Sequence, residues 1–407
     1  MDNYFSDEFF TCNRARLREL IIDTVPIVIT ANGLLQKSGD AAFPFQQDTS
    51  FWYLTGIDEA DLTLVMDGDK EYLIVPAASD YHDIFDGCLN AEVLRKRSGI
   101  TTILDAKAGW EKLEGCLRKV KCAATLSANP DFIEVYGMYA NPARSVLIQK
   151  IKDINPRLKL LDIRPHLSRL RMIKQPLELK AMQQAIDLTI GAIKRVETKL
   201  PKLAYEFEVE AEITGHFLRH GATDAWRPIV ASGENACTLH YHDNQSKLMA
   251  SSLITIDIGA KVDHYCADIT RTLSVDGHPS RRAKAVYMAV LKAQNFAISL
   301  QKPGALISEN EKLTESFLGE CLRELGLIKT VDSKSVRQYF PHATSHFLGL
   351  DPHDVGDYER PLEPGVVLTV EPGIYISEEG IGVRLEDNIL ITADGNKNLS
   401  SHLPSQL

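Results

Sequence analysis

Five side chains of metal-binding type stand in order along the second half of the chain: Asp257, Asp268, His346, Glu371 and Glu386. Each falls inside a short strand-like segment or at the edge of one. Four carboxylates and one imidazole suffice to hold two divalent cations, whereas a structural zinc site usually recruits cysteine. The same residues could instead be a carboxylate-rich surface. Taken alone, Asp257 could cap a turn and Asp268 could pair with a basic residue on a neighbouring strand. Glu386 could lie on the solvated outer face of an antiparallel strand.

Local patterns narrow these options. LITIDIG (253–259) alternates Ile254, Ile256 and Ile258 with Thr255 and Asp257, and HYCADITRTL (264–273) places Asp268 in a second strand after a turn near Lys261–Asp263. Adjacent antiparallel strands can bring two such carboxylates onto one face. VVLTVEPGIYI (366–376) ends a β-type run at Glu371, and GVRLEDNILIT (382–392) alternates Val383 and Leu385 with Arg384 and Glu386. A carboxylate among Val, Leu and Ile is costly unless it is paired or metal-bound. His346 lies in HATSHFLGLDPHDVG (342–356) with His342 and His353, a grouping that suggests a polar pocket. His240 and His242, in SGENACTLHYHDN (232–244), read by themselves as a surface loop. Imidazoles free of metal can donate hydrogen bonds to a developing oxyanion or a leaving nitrogen.

The elements that must position these groups alternate along the chain. PIVITAN (26–32), LTLVMDG (62–68) and EYLIVP (71–76) read as strands, and Asn141 to about Lys152 as a helix, which together predict an α/β layer. LLDIRPHLSRLRMIKQP (160–176), with two prolines and five basic or histidine side chains, reads as an inter-domain connector. Helices follow over Pro176–Lys199 and Glu206–His220, then again over Ser280–Gln301 and from Ser308 to near Gly326. Ser308 and Glu311 have the spacing of a capping box. Two helices thus precede the strands carrying Asp257 and Asp268, and two more precede those carrying His346, Glu371 and Glu386.

A length of 407 residues fits two to three domains, with the apolar (44%) and charged (25%) fractions of an ordinary globular protein. A net charge of −10 argues against nucleic acid or an anionic membrane as partner. The seven cysteines are odd in number, scattered and without a Cys-x-x-Cys pair, a pattern of reducing compartments. The first twenty residues lack the basic and apolar regions of a signal peptide, and no apolar run approaches a membrane span. The expectation is a cytoplasmic enzyme.

Together SGENACTLHYHDN, IDIGAKVDHYCADITRTL, SHFLGLDPHDVG, EPGIYI and GVRLEDNILIT resemble the pita-bread metallopeptidases, specifically the aminopeptidase P and prolidase group. FPFQQDTSFWYLTGIDEADLTLVM (43–66) resembles that group's creatinase-like N-terminal domain. The resemblance implies an α/β (α+β) chain, with a smaller creatinase-like domain over 1–165 and a pita-bread catalytic domain over 166–407. It also implies two divalent cations, commonly manganese. Asp257 would chelate one, His346 and Glu371 the other, and Asp268 and Glu386 would bridge both.

The implied reaction is hydrolysis of the Xaa–Pro bond at the N-terminus of peptides, with Xaa-Pro dipeptide cleavage as the alternative. A non-catalytic binding protein on the same fold is the rival from another class. In the implied roles, Glu371 exchanges the proton of the attacking water, and His240 and His353 stabilise the intermediate. His342, Arg384 and Tyr375 lie near the proline-side pocket, with Arg384 also orienting Asp257. A homodimer or higher homo-oligomer is implied by the resemblance alone. Two departures stand out. Ala343 follows His342 where the family often has glycine, and the loop DIFDGCLNAEVLRKRSG (83–99) lacks the family's Trp and Arg pair, which bears on peptide length.

Overall fold

A computed structural model describes residues 4–21, 25–77, 84–85, 87–127, 137–405 and 407. Two compact units divide between Leu170 and Arg171.

The N-terminal unit is built on a six-stranded mixed sheet. Its strand order is Thr102–Leu104, Lys70–Ile74, Thr63–Asp67, Ile27–Thr30, Cys122–Thr125, Lys159–Asp162. The strands expected around 26–32, 62–68 and 71–76 are the antiparallel centre of this sheet, with Ile27 opposite Met66 and Thr63 opposite Ile74. The strands 102–104, 122–125 and 159–162 join in parallel, as helical crossovers require. Leu113, Leu117, Leu147 and Ile151 from two helices pack on Val28, Val65 and Ile74. In the same unit, Phe5 and Phe10 meet Trp52 edge-on. The helix Thr49–Thr55 starts where Asp48 accepts the N–H groups of Ser50 and Phe51, and it stops at Gly56 with φ 67°. Gly56 has a second constraint, since a Cβ there would come within 2.3 Å of the Phe10 ring.

Two segments differ from the sequence reading. The 83–99 loop holds a helix over Ala91–Ser98, capped by Asn90 and ended by Gly99 in the left-handed region; residues 83 and 86 lie outside the described set. The 160–176 connector is ordered structure, a strand through Asp162 followed by the helix Arg164–Met172.

In the C-terminal unit the helix Pro176–Lys199 has proline in its first turn, and Glu178 accepts the Gln175 N–H at 2.9 Å. It packs beside Glu206–Arg219, and Arg281–Leu300 packs beside Ile307–Glu324, so each pair of helices precedes a set of strands. The expected capping box is absent. Ser308 lies inside the last of these helices, whose N-cap is Leu306, and both Glu311 oxygens accept the N–H of Thr344 at 2.9 Å. A distant backbone donor wins over the local one because burying Thr344 N–H unpaired would cost more than leaving a solvent-facing helix end to water. Among the described residues, no helix is long and apolar enough to cross a membrane.

Candidate metal centre

Two strand pairs carry the carboxylates. Leu253–Ile258 runs antiparallel to Ile269–Ser274, with Asp257 directly opposite Thr270. Asp268 lies just before the second strand rather than within it. Gly259 lets the chain pass here, since a Cβ would stand 1.9 Å from the Ala267 carbonyl oxygen. The expected turn forms at Asp263 and His264, both at positive φ.

The second pair is a hairpin broken in its middle. Val367–Val370 pairs with Asp387–Thr392, and Gly373–Ile376 with Ile381–Arg384. Between these ladders Glu371–Pro372 faces Leu385–Glu386, so the expected continuous strand over 382–392 is interrupted at the ligand. Proline has no N–H to continue the ladder, and the break turns both glutamates out of the strand alternation. The two strand systems are stitched together by Glu386 N–H donating to Thr270 O at 3.1 Å and by Asp268 N–H donating to Asn388 Oδ1 at 3.3 Å.

Asp268, His346 and Glu386 converge, with one ligand atom of each inside a 4.8 Å cluster, and all three are buried. Glu371 Oε1 lies 3.3 Å from His346 Nε2, and Asp268 Oδ2 lies 3.6 Å from the same nitrogen. The His346 Nδ1 faces the Phe347 carbonyl at 3.1 Å, which directs its proton there and leaves the Nε2 lone pair facing the carboxylates. Burial, reinforced by His353, pushes the His346 pKa down to about 3, so the imidazole is a neutral donor.

The carboxylates respond in the opposite direction. Burial and Asp257 push Glu386 up to about 8, and burial with the Glu386 charge raises Asp268 and Glu371 well above the ordinary range. Like charges this close cannot all ionise without a cation between them. Asp257 supplies a further mark of the same deficit. Its Oδ2 takes a 2.7 Å bond from Arg384, but its buried Oδ1 has no hydrogen-bond partner. An oxygen-rich set with one imidazole and an orphaned carboxylate oxygen fits hard divalent cations.

Beside this cluster runs a directed chain of hydrogen bonds. Arg384 donates to Asp257 Oδ2 and, at 2.9 Å, to the Tyr375 hydroxyl. Tyr375 in turn donates to His342 Nε2 at 2.8 Å, and His342 Nδ1–H points at the Ala343 carbonyl at 2.8 Å. Burial first and Arg384 second hold the His342 pKa near 3, while burial pushes Tyr375 up to about 12. Every donor in the chain therefore has one direction. The His353 ring stacks on His346 with centroids 4.0 Å apart. His240 is exposed beside His242, and burial lowers the His353 pKa.

Two neighbours escaped the sequence reading. Thr270 donates to Glu386 Oε2 at 2.6 Å; its place two residues after Asp268 is the sequence signal that could have found it. Glu311, which ties down Thr344 two residues before His346, had no local signal except one that misled.

Comparisons with known proteins identify the family. Residues 180–393 match the model of metallopeptidase family M24, and residues 10–123 match the aminopeptidase P N-terminal domain. The chain belongs to metallopeptidase family M24. It is 35% identical over 396 residues to a Xaa-Pro aminopeptidase of Haemophilus influenzae, covering 91% of this chain and 89% of the relative. The low-pH form of Escherichia coli aminopeptidase P superposes with a TM-score of 0.88 at 29% identity, over 99% of this chain and 96% of that one. Zinc-substituted E. coli aminopeptidase P in complex with product gives 0.86 at 29%, over the same shares. The match to aminopeptidase P structures settles the mixed α/β fold with its two-part organisation. Membership in M24 makes this chain a metallopeptidase that uses a divalent metal.

Proposed function

We propose that the chain is a Xaa-Pro aminopeptidase, removing the N-terminal residue from peptides with proline second, and that it acts with two manganese ions. The observation that carries this reading is the buried cluster of Asp268, His346 and Glu386, flanked by Glu371 and by the half-paired Asp257. In the proposed assignment Asp257 would hold one ion, His346 and Glu371 the other, and Asp268 and Glu386 would contribute to holding both. The bound ions supply Lewis acidity, lowering the pKa of water and polarising the scissile carbonyl.

The chain's own residues do the rest. Glu371, as the carboxylate, takes the proton of the attacking water and passes it to the proline nitrogen. His353 and His240 donate to the developing oxyanion. Arg384 holds Asp257 in one orientation while Tyr375 and His342 form the wall on the proline side. A tertiary amide offers no N–H, so the site recognises the ring and the free amino terminus instead. On this reading the chemistry lies in the pita-bread domain, residues 166–407, and residues 1–165 form the creatinase-like domain. It also takes the enzyme as a cytoplasmic homodimer.

The test compares Xaa-Pro-Yaa with Xaa-Pro cleavage before and after chelation and manganese addition. Cleavage of the longer peptide should disappear on chelation and return with manganese. Glu371→Gln should abolish turnover while leaving the fold intact. Equal activity of stripped and reloaded protein would overturn the mechanism, and exclusive dipeptide cleavage would move the enzyme to the prolidases.

A further inference from the structure

The segment that carries His240 has little regular structure of its own. Between the strand Ile229–Ser232 and the strand beginning at Leu253 it contains only a short 3-10 turn over Gly233–Cys237. What holds it is a carboxylate from the preceding helix. Glu206, the first residue of that helix, is completely buried. Its Oε1 accepts the N–H and O–H of Ser232, each at 2.7 Å, and the Asn235 amide at 3.0 Å. Its Oε2 accepts the Tyr241 hydroxyl and the Ser246 N–H, both at 2.9 Å. The Glu206 N–H completes the loop by donating to Ser246 O at 3.0 Å.

All five donors lie between residues 232 and 246. One turn further along the helix, Glu210 accepts the Asn244 amide at 2.8 Å, while Asn244 Oδ1 takes the Val230 N–H at 3.1 Å. One helix face thus fastens the segment at both ends and, through Tyr241, at the residue beside His240. An ionised carboxylate is an acceptor at both oxygens, which is what five converging donors require. The helix N-terminus favours the negative charge there.

We propose that Glu206 is the positioning residue for His240: it sets the 232–246 segment so that the His240 imidazole reaches the substrate carbonyl. This rests on the role given to His240 above and deepens it. Glu206 itself touches neither substrate nor metal ligand.

The test is a double-mutant cycle on the manganese-loaded enzyme. Glu206→Gln keeps the size of the side chain but turns an NH2 group toward N–H and O–H donors. It should leave metal stoichiometry unchanged and KM for Xaa-Pro-Yaa nearly so, while lowering kcat roughly 10- to 100-fold, the scale of an ångström-level misplacement. His240→Ala should cause a loss of similar size, and adding Glu206→Gln to it should lower kcat no further. Multiplying effects, or an unchanged kcat in Glu206→Gln, would overturn the proposal. An unchanged kcat in His240→Ala would overturn it as well, without touching the assignment of the peptidase.

A milder variant, Tyr241→Phe, removes one donor and keeps the packing. It should give a smaller kcat loss that also vanishes in the His240→Ala background, and an additive loss would count against the proposal. A readout independent of turnover is the ring resonance of His240 in a 1H–15N spectrum. It should shift or split in Glu206→Gln even if Xaa-Pro-Yaa proves the wrong substrate; an unmoved resonance would overturn the positioning role.

Discussion

Two groups of carboxylates, one in each unit, are held in opposite ways. In the N-terminal unit, Glu71 sits between Arg14 at 2.8 Å and Arg18 at 2.5 Å, and Asp48 is shared by Arg144 and two backbone N–H groups. Each negative charge there is answered by donors from the chain itself. In the C-terminal unit, Asp268, Glu371 and Glu386 crowd around a neutral imidazole, and Arg384 is already engaged by Asp257 and Tyr375. Burying charge without compensation is expensive. The first arrangement spends its charges on holding the fold. The second leaves a deficit of positive charge, and that deficit is the binding energy offered to a divalent cation.

The sharpest way to break this contrast is Glu386→Gln. In the loaded enzyme it should remove bound metal and lower kcat/KM by about 10³-fold or more, on the order of 4 kcal/mol of transition-state stabilisation. In the chelated protein it should do the reverse and raise Tm, because one repelling carboxylate is gone. The pH dependence follows from the same charge. With Glu386 held at about 8 against an ordinary 4.5, the metal-free folded chain keeps a proton that the unfolded chain releases. The contribution of Glu386 to stability should therefore fall as pH rises from about 4.5 to about 8 and level off above that. Thermal melts of chelated protein at pH 5 and pH 8 measure the slope, which should flatten in the Gln variant. A chelated protein that gains stability over this range would contradict the deficit.

The contrast also separates what was legible in the sequence from what was not. The ligand-type residues stood out because each sits in a short β-type motif, and the helices showed through apolar spacing with proline and glycine at their ends. The break at Leu385–Glu386 did not show. Alternation continues through it, and only the change of pairing partner across Pro372 reveals it, a property of register rather than of local sequence. Ser308 and Glu311 had the spacing of a cap, but a tertiary donor, Thr344, took the carboxylate. Over 83–99 the helix was signalled by Asn90 and Gly99, and reading the segment as a family loop hid both.

The N-terminal arrangement can be challenged with Arg14→Met. The guanidinium is fully buried, and besides Glu71 it donates to the Leu54 carbonyl at 2.7 Å. Arg18 remains to hold Glu71, which is partly exposed, so the loss should be about 2–3 kcal/mol of stability, below the cost of stranding a fully buried charge. Chemical denaturation measures it. The kcat per folded, metal-loaded molecule should stay within twofold of the parent. A large kcat loss at unchanged stability would mean that the N-terminal charges serve the chemistry too, and the division drawn above would fail.

Glu311 tests the contrast from inside the catalytic unit, because it lies there but is satisfied in the N-terminal manner. Burial raises its pKa, and the Thr344 N–H that both its oxygens accept opposes the shift. Thr344 stands between His342, the end of the Arg384–Tyr375 chain, and the ligand His346. Glu311→Ala leaves that N–H without its acceptor at a cost of about 1–2 kcal/mol. The loosened 342–346 segment should then lower kcat/KM roughly tenfold, equivalent to about 1.4 kcal/mol. Glu311→Gln still offers a carbonyl oxygen to Thr344 and should recover most of the loss, since a hydrogen bond and not a charge is required. If Gln behaves like Ala, the negative charge itself is what matters, and Glu311 belongs with the metal-seeking carboxylates after all.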